Sequence, residues 1–302
     1  MSGSDPRQPR VGGLGRANGH RDPWTIADAA PALLRHAART CYLIGAAAIA
    51  SRRARRLRLH RDTYGPYNSL CPDEPFWQQP VAIERSAGGP GDFGYTGYLI
   101  SPDTVLTCWH GWEYFSSRAQ VAVLGYAVQP ADGDPTELPS AQVLPVAAYP
   151  AAMSVSGEVQ GSGRGDWVLL QLEHPVTHLG SLPAPLIGSP RAGCTVYTLG
   201  HPCGLPLKLA DSATVLNLQD GVFRTDLDTF AGNSGSPVFD AENHALIGMV
   251  IQGQAGKGDF VPAPDRSCYI VNHIQRGGAG QLSVTADSFG TAVTRRTQYG
   301  SR

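Results

Sequence analysis

Three polar side chains in this chain have the types and contexts that acyl-transfer chemistry needs. Ser234 lies in DLDTFAGNSGSPV (226–238), between Asn233 and Gly235, with Gly232 two residues upstream. Small residues let the backbone turn sharply there. Such a turn exposes a hydroxyl and aims successive N–H groups at one point. A serine nucleophile needs that exposure, and its oxyanion needs those donors. A plain Gly-Ser turn between two strands has the same short pattern, so the reading rests on a base and an orienting carboxylate elsewhere. His110 closes the apolar run VLTCWH (105–110), and Asp166 opens GDWVLLQL (165–172), which reads as a buried strand. Imidazole titrates near neutrality, so His110 suits a group that takes a proton and returns it to a leaving amine. Asp166 suits the group that orients the imidazole. The other eight histidines (positions 20, 36, 60, 174, 178, 201, 244 and 273) have no equivalent strand-end context.

A fourth motif, LGHPCGLPLK (199–208), precedes the serine. With VLTCWH, GDWVLLQL and GNSGSPVFD it makes the chain resemble the trypsin-like (chymotrypsin-fold) serine peptidases over roughly residues 75–273, and in particular their bacterial branch, which includes the glutamyl endopeptidases. The resemblance implies an all-β domain of two packed six-stranded antiparallel β-barrels. The site would lie in the cleft between them, with His110 and Asp166 from the first barrel and Ser234 from the second. It implies an oxyanion hole from the backbone N–H groups of Gly232 and Ser234, and substrate-backbone pairing at Gly253 by strand addition. Asp228, six residues before Ser234, matches the offset of the pocket aspartate that selects Arg or Lys at P1 in trypsin. The alternative is that Asp228 only hydrogen-bonds its own loop. Thr229 lines the pocket in either case. Acidic P1 residues would call for a His in place of Val250, which is absent.

Two positions depart from the trypsin-like pattern. Asn233 stands where zymogens carry the Asp that receives a new α-amino group, so activation by N-terminal insertion is not expected. Ile251 replaces a Ser that supports the triad aspartate, so that support must come from elsewhere.

The 302 residues are 42% hydrophobic and 16% charged, with 36 Gly and 24 Pro, which favours an all-β core of short strands. Charge is uneven. Residues 1–61 hold twelve Arg and three Asp, a net of +9, while the remainder is net −10, so a boundary near 61–75 is expected. Residues 1–22 show no periodicity and read as disordered. Leu33, Ala37, Cys41, Ile44 and Ala48 recur at helical spacing, so 23–61 reads as a basic helical extension with its helix over about 31–60. Residues 62–80 read as a connector, 81–280 as the peptidase domain and 281–302 as a flexible tail.

The arginines at 52–58 fit contact with an acidic partner, nucleic acid or a membrane surface, docking on the acidic part of the same chain, or a solvated helix face; of these a regulatory protein partner is the expectation, and no nucleic-acid partner is expected. The apolar stretch 41–50 is too short to span a bilayer, and no signal peptide is evident, so a cytoplasmic location is expected. The six cysteines show no trypsin-like bridge beside the histidine. Cys194 and Cys203 are candidates to pair across a loop, and free thiols are the default. No CxxC or HExxH occurs, and neither a metal nor another cofactor is expected. The best functional expectation is a serine endopeptidase. The alternative is an inactive peptidase-fold binding module that engages a partner through the basic N-terminal segment.

Overall fold

The structure is a computed structural model that describes residues 31–85, 91–128, 133–148, 150–154, 165–177, 183–253, 258–278 and 280–299. In chain order they form helix α1 (Pro31–Arg39) and strands β1 (Thr40–Gly45), β2 (Ile49–Arg53), β3 (Arg56–Leu59) and β4 (Arg61–Thr63), then the single turn α2 (Tyr64–Tyr67). Next come β5 (Pro80–Ala82), β6 (Tyr95–Ser101), β7 (Thr104–Thr107), α3 (Trp109–Phe115), β8 (Gln120–Leu124), β9 (Glu137–Pro139), β10 (Val143–Pro145), β11 (Ala152–Ser154) and β12 (Trp167–Gln171). The second half holds β13 (Thr195–Gly200), β14 (Lys208–Gln219), β15 (Val222–Thr225), β16 (Pro237–Asp240), β17 (Leu246–Gln252), β18 (Phe260–Pro262), β19 (Tyr269–Val271), β20 (Gln281–Thr285) and α4 (Ala286–Tyr299).

The fold is all-β, with two large antiparallel assemblies. The first is a curled seven-stranded sheet, ordered β10-β8-β1-β6-β7-β12-β11. The second is a closed six-stranded barrel, ordered β13-β14-β15-β20-β17-β16. Two smaller sheets, β2-β3-β9 and β4-β5, lie with the first half, and β18-β19 forms a separate hairpin.

Three expectations are corrected here. The extension is not a helix to residue 60. Its helix ends at Arg39, and Thr40–Gly45 becomes β1, an inner strand between β6 and β8. The reason lies in the side chains of TCYLIG. Cys41 and Leu43 face one apolar core while Tyr42 and Ile44 face another, so both faces of the strand are buried. A short continuous apolar run satisfies helical spacing by coincidence, and its β-branched and aromatic residues fit a pleated sheet better. The arginines that follow lie on the β2–β3 hairpin, where Leu57 and Leu59 alternate inward and Arg56 and Arg58 outward. Nor is 281–302 a flexible tail over its described part. Gln281–Thr285 is β20, which pairs with both β15 and β17 and closes the barrel. The residues expected to be disordered, 1–22, lie outside the described residues.

The third correction concerns the cysteines. Cys194 and Cys203 are both free, and the disulfide joins Cys71 to Cys268, 197 positions apart in sequence. Nothing in local spacing points to that pair; only the fold brings the connector beside the β18–β19 hairpin.

Helix α1 is wedged between the two assemblies. The Nε2–H of His36 donates to the His244 carbonyl (3.2 Å), and its Nδ1 accepts from the Tyr98 hydroxyl (2.7 Å). Its ring stacks on Phe239 of β16 at 4.0 Å. Arg39 is buried beside it and donates to the carbonyls of Leu99 and Pro183. Burial pushes the His36 imidazole down to about 4; the His244 carbonyl opposes the shift, while Arg39, the His244 ring and Arg35 add to it. In the unfolded chain the ring protonates near its ordinary value of 6.5. The unfolded chain therefore binds more protons between pH 6.5 and about 4. Stability from this group is complete above that window and is lost as pH falls through it. Urea unfolding at pH 7 and pH 4 is expected to show wild type losing about 3 kcal/mol more than His36→Gln, which carries no titrating ring. Equal acid losses in the two proteins would show that His36 protonates freely when folded.

Candidate active site

Antiparallel pairing of β12 with β7, Val168 opposite Thr107, sets the residue that precedes one strand beside the residues that follow the other. Those residues are Asp166 and, on the first turn of α3, His110. Asp166 takes a left-handed backbone (φ +67°), which a short acidic side chain tolerates better than most. Its carboxylate holds the histidine twice. Oδ2 accepts from the His110 ring at Nδ1 (2.7 Å), and Oδ1 accepts from the His110 backbone N–H (2.9 Å). Support expected from a Ser at position 251 is thus replaced by the histidine's own main chain; Ile251 is a buried apolar residue. A proton on Nδ1 leaves Nε2 as the acceptor. The Asp166 side chain is nearly buried, while that of His110 is 42% exposed, so the ring is open to an incoming group on one side. Burial disfavours protonating His110, but the adjoining Cys108 and the Asp166 carboxylate outweigh it and push the imidazole above its ordinary value.

Ser234 sits on the turn that leads into β16 and is half-buried. Thr96 of β6 fastens this turn to the first sheet. Its N–H donates to the Ser234 carbonyl (2.9 Å), and its hydroxyl donates to the Gly232 carbonyl (2.7 Å). Gly232 (φ +87°) and Gly235 (φ +86°) are required at their positions. A Cβ at Gly235 would lie 2.0 Å from the Thr96 carbonyl, and one at Gly232 would lie 2.5 Å from the His201 carbonyl. Close packing of Gly235 against Thr96, Thr107 and Cys108 sets the nucleophile turn beside the strand end that leads to His110. Among the described residues neither the Gly232 N–H nor the Ser234 N–H donates to an internal acceptor, whereas the intervening Asn233 N–H donates to Phe230. Free donors on a tight turn are what an anion-binding concavity requires. The Ser234 hydroxyl has no hydrogen bond to His110 among the described residues; catalytic contacts of this kind commonly tighten only around substrate.

The loop upstream is held by residues far along the chain. Asp228 is 1% exposed, and its carboxylate accepts from His273 Nδ1 (2.5 Å) and from the Ile274 N–H (2.9 Å). Both contacts tie the Asp228 loop to the segment just after β19. Thr229 is buried, and its hydroxyl has no partner among the described residues. Gly253 follows β17 directly, within reach of the Thr229 carbonyl. Asn233 accepts from the Phe230 N–H rather than pairing with an ammonium group. Asp259 accepts from the Ala231 N–H (2.9 Å).

Thr96, Asp259 and His273 carry much of this geometry, and no motif in the sequence marks them. Thr96 reads as one more strand residue, and His273 as one loop histidine among several. Among the described residues no group of three or more His, Cys, Asp or Glu side chains gathers as a metal site. No helix among them is long and apolar enough to cross a membrane.

A trypsin-like peptidase domain family matches residues 95–249, just over half of the chain. The chain belongs to that trypsin-like peptidase family. His110, Asp166 and Ser234 all fall inside the stretch of peptidase domain matched. A Glu endopeptidase solved in complex with MPD aligns with 82% of this chain and 99% of its own, at 16% identity and a TM-score of 0.45. No curated protein sequence matches it.

Proposed function

We propose that the chain is a serine endopeptidase that cleaves peptide bonds through an acyl-enzyme, with Ser234 as nucleophile, His110 as base and Asp166 as orienting carboxylate. The observation that carries this reading is the double hold of Asp166 on His110, which leaves one imidazole nitrogen as acceptor beside the nucleophile turn. In the reaction, His110 Nε2 takes the Ser234 proton as Oγ attacks the scissile carbonyl. The negative oxygen that forms is met by the N–H groups of Gly232 and Ser234, free for that purpose among the described residues. The imidazolium then protonates the leaving amine, and water, activated by the same ring, releases the acid. Gly253, at the end of a barrel strand, supplies backbone for pairing with the substrate by strand addition.

For Asp228 the hydrogen bonds from His273 and Ile274 favour a loop-holding role over selection of Arg or Lys at P1. Peptide-library profiling is expected to give the same P1 order for wild type and Asp228→Asn. Selective loss of Arg and Lys cleavage in the variant would return the carboxylate to the substrate. The Cys71–Cys268 bond favours a compartment that keeps thiols oxidised over the cytoplasm.

A fluorophosphonate probe tests the central reading directly. Intact mass is expected to show a single adduct on wild type and none on Ser234→Ala. Absence of an adduct on wild type would turn attention to the second reading, a partner-binding module. That reading finds support in the β2–β3 hairpin, where Arg52, Arg53, Arg55 and Arg58 are exposed and form no ion pair among the described residues. A regulatory protein partner of residues 23–61 would meet this hairpin, not a helix.

A further inference from the structure

The β18–β19 hairpin is one of the parts that hold the nucleophile loop. It pairs with neither large sheet, and an isolated two-stranded hairpin is marginal in water. Yet three of the polar contacts on the loop before Ser234 come from the residues that flank it on either side. Asp259, just ahead of β18, accepts the Ala231 N–H. His273 and the Ile274 N–H, just after β19, hold Asp228. Whatever fixes this hairpin also fixes the loop that carries the oxyanion donors.

Residues 64–79 do the fixing. Cys71 is bonded to Cys268 in the hairpin's tip. The Cys71 N–H donates to the Tyr269 carbonyl (2.8 Å), and the Tyr269 N–H donates to the Ser69 carbonyl (2.9 Å). Glu74 accepts the Val271 N–H (3.3 Å), and Arg266 pairs with Asp73 (2.7 Å). Phe230 of the nucleophile loop shares one apolar cluster with Tyr64, Leu70 and Cys203, against which Phe260 and Val271 of the hairpin pack. A chain of contacts thus runs from the connector, through the hairpin, to the residues flanking Gly232.

We propose that the 64–79 connector and its Cys71–Cys268 bond are a brace that positions the nucleophile loop, and that breaking this bond lowers peptidase activity while both large sheets stay folded. The inference rests on Ser234 being the nucleophile. Cys71 is fully buried and Cys268 partly exposed, so the accessible sulfur is that of Cys268. A dithiol reductant acts there: its thiolate attacks the Cys268 sulfur and Cys71 leaves and takes a proton. The second thiol of the reductant then closes the reductant's own disulfide and frees Cys268. Two electrons and two protons pass to the protein, and reoxidation restores the bond.

The test is fluorophosphonate labelling of the full chain, oxidised, reduced by dithiothreitol and reoxidised, with amide hydrogen exchange read in parallel. Labelling is expected to slow about 100-fold on reduction, the scale set by an ångström of misplacement, and to recover on reoxidation. Exchange at residues 228–234 is expected to quicken while that of β13 and β17 does not. An unchanged labelling rate and unchanged exchange in a reduced, folded chain would overturn the brace. Should reduction unfold the protein, Glu74→Ala decides. It keeps the disulfide and is expected to slow labelling about tenfold, the cost of one lost hydrogen bond; an unchanged rate would again overturn the proposal. An oxidised wild type that never labels removes the serine-peptidase reading instead, and the exchange pattern alone then judges the brace.

Discussion

A chain shortened to begin at Pro75 is expected not to fold, rather than to be released from inhibition. The cut removes β1, which pairs with β6 on one side and β8 on the other. It takes Cys41, Tyr42, Leu43 and Ile44 out of two apolar cores in which none is measurably exposed. At about 2 kcal/mol for each buried side chain, the loss is roughly 8 kcal/mol. That matches the whole stability of an ordinary domain, about 5–15 kcal/mol. The cut also removes Cys71, and with it the only covalent tie to the hairpin among the described residues. Thermal unfolding followed by circular dichroism is the check. The shortened chain is expected to show no cooperative transition, and a normal melt with retained activity would mean that β1 is dispensable. Regulation attributed to residues 40–74 has to be studied with point variants, since β1 and the connector are part of the domain.

Asp166→Asn is expected to lower kcat/KM about 10⁴-fold with little change in fold, the magnitude characteristic of the triad aspartate in trypsin-like enzymes as a class. The local reason is specific to this chain. Asp166 accepts two hydrogen bonds, from the ring and from the backbone of the same histidine. An amide keeps the shape but offers only one acceptor oxygen. With the backbone N–H still claiming it, the ring faces an N–H₂ group and turns to its other tautomer, which places the proton on Nε2 and blocks acceptance from Ser234. The negative charge that would stabilise the imidazolium is lost as well. Initial rates on a cleaved peptide, with Tm measured alongside, check this. A loss below about tenfold at unchanged Tm would mean that Asp166 is not the orienting group.

The candidate reacting groups are legible in the sequence without a fold. Ser234, His110 and Asp166 stand in local contexts that chemistry constrains: a glycine-flanked turn, a strand end and a strand start. Such constraints are written in neighbouring residues. The all-β class is legible for the same reason, in short apolar runs broken by Gly and Pro. The role of residues 31–61 and 281–299 is not. Both TCYLIG and QLSVT are short, and their partners lie far along the chain, so neither length nor spacing separates an inner strand from a helix or a tail. What Asp228 meets is equally hidden, because His273 reaches it from 45 residues away. The choice of Cys71 and Cys268 from six thiols also needs the fold, since a disulfide requires proximity in space and the two lie 197 positions apart in sequence. Local chemistry marks the reacting groups; what braces them is set by long-range packing, which leaves no pattern of its own in the sequence.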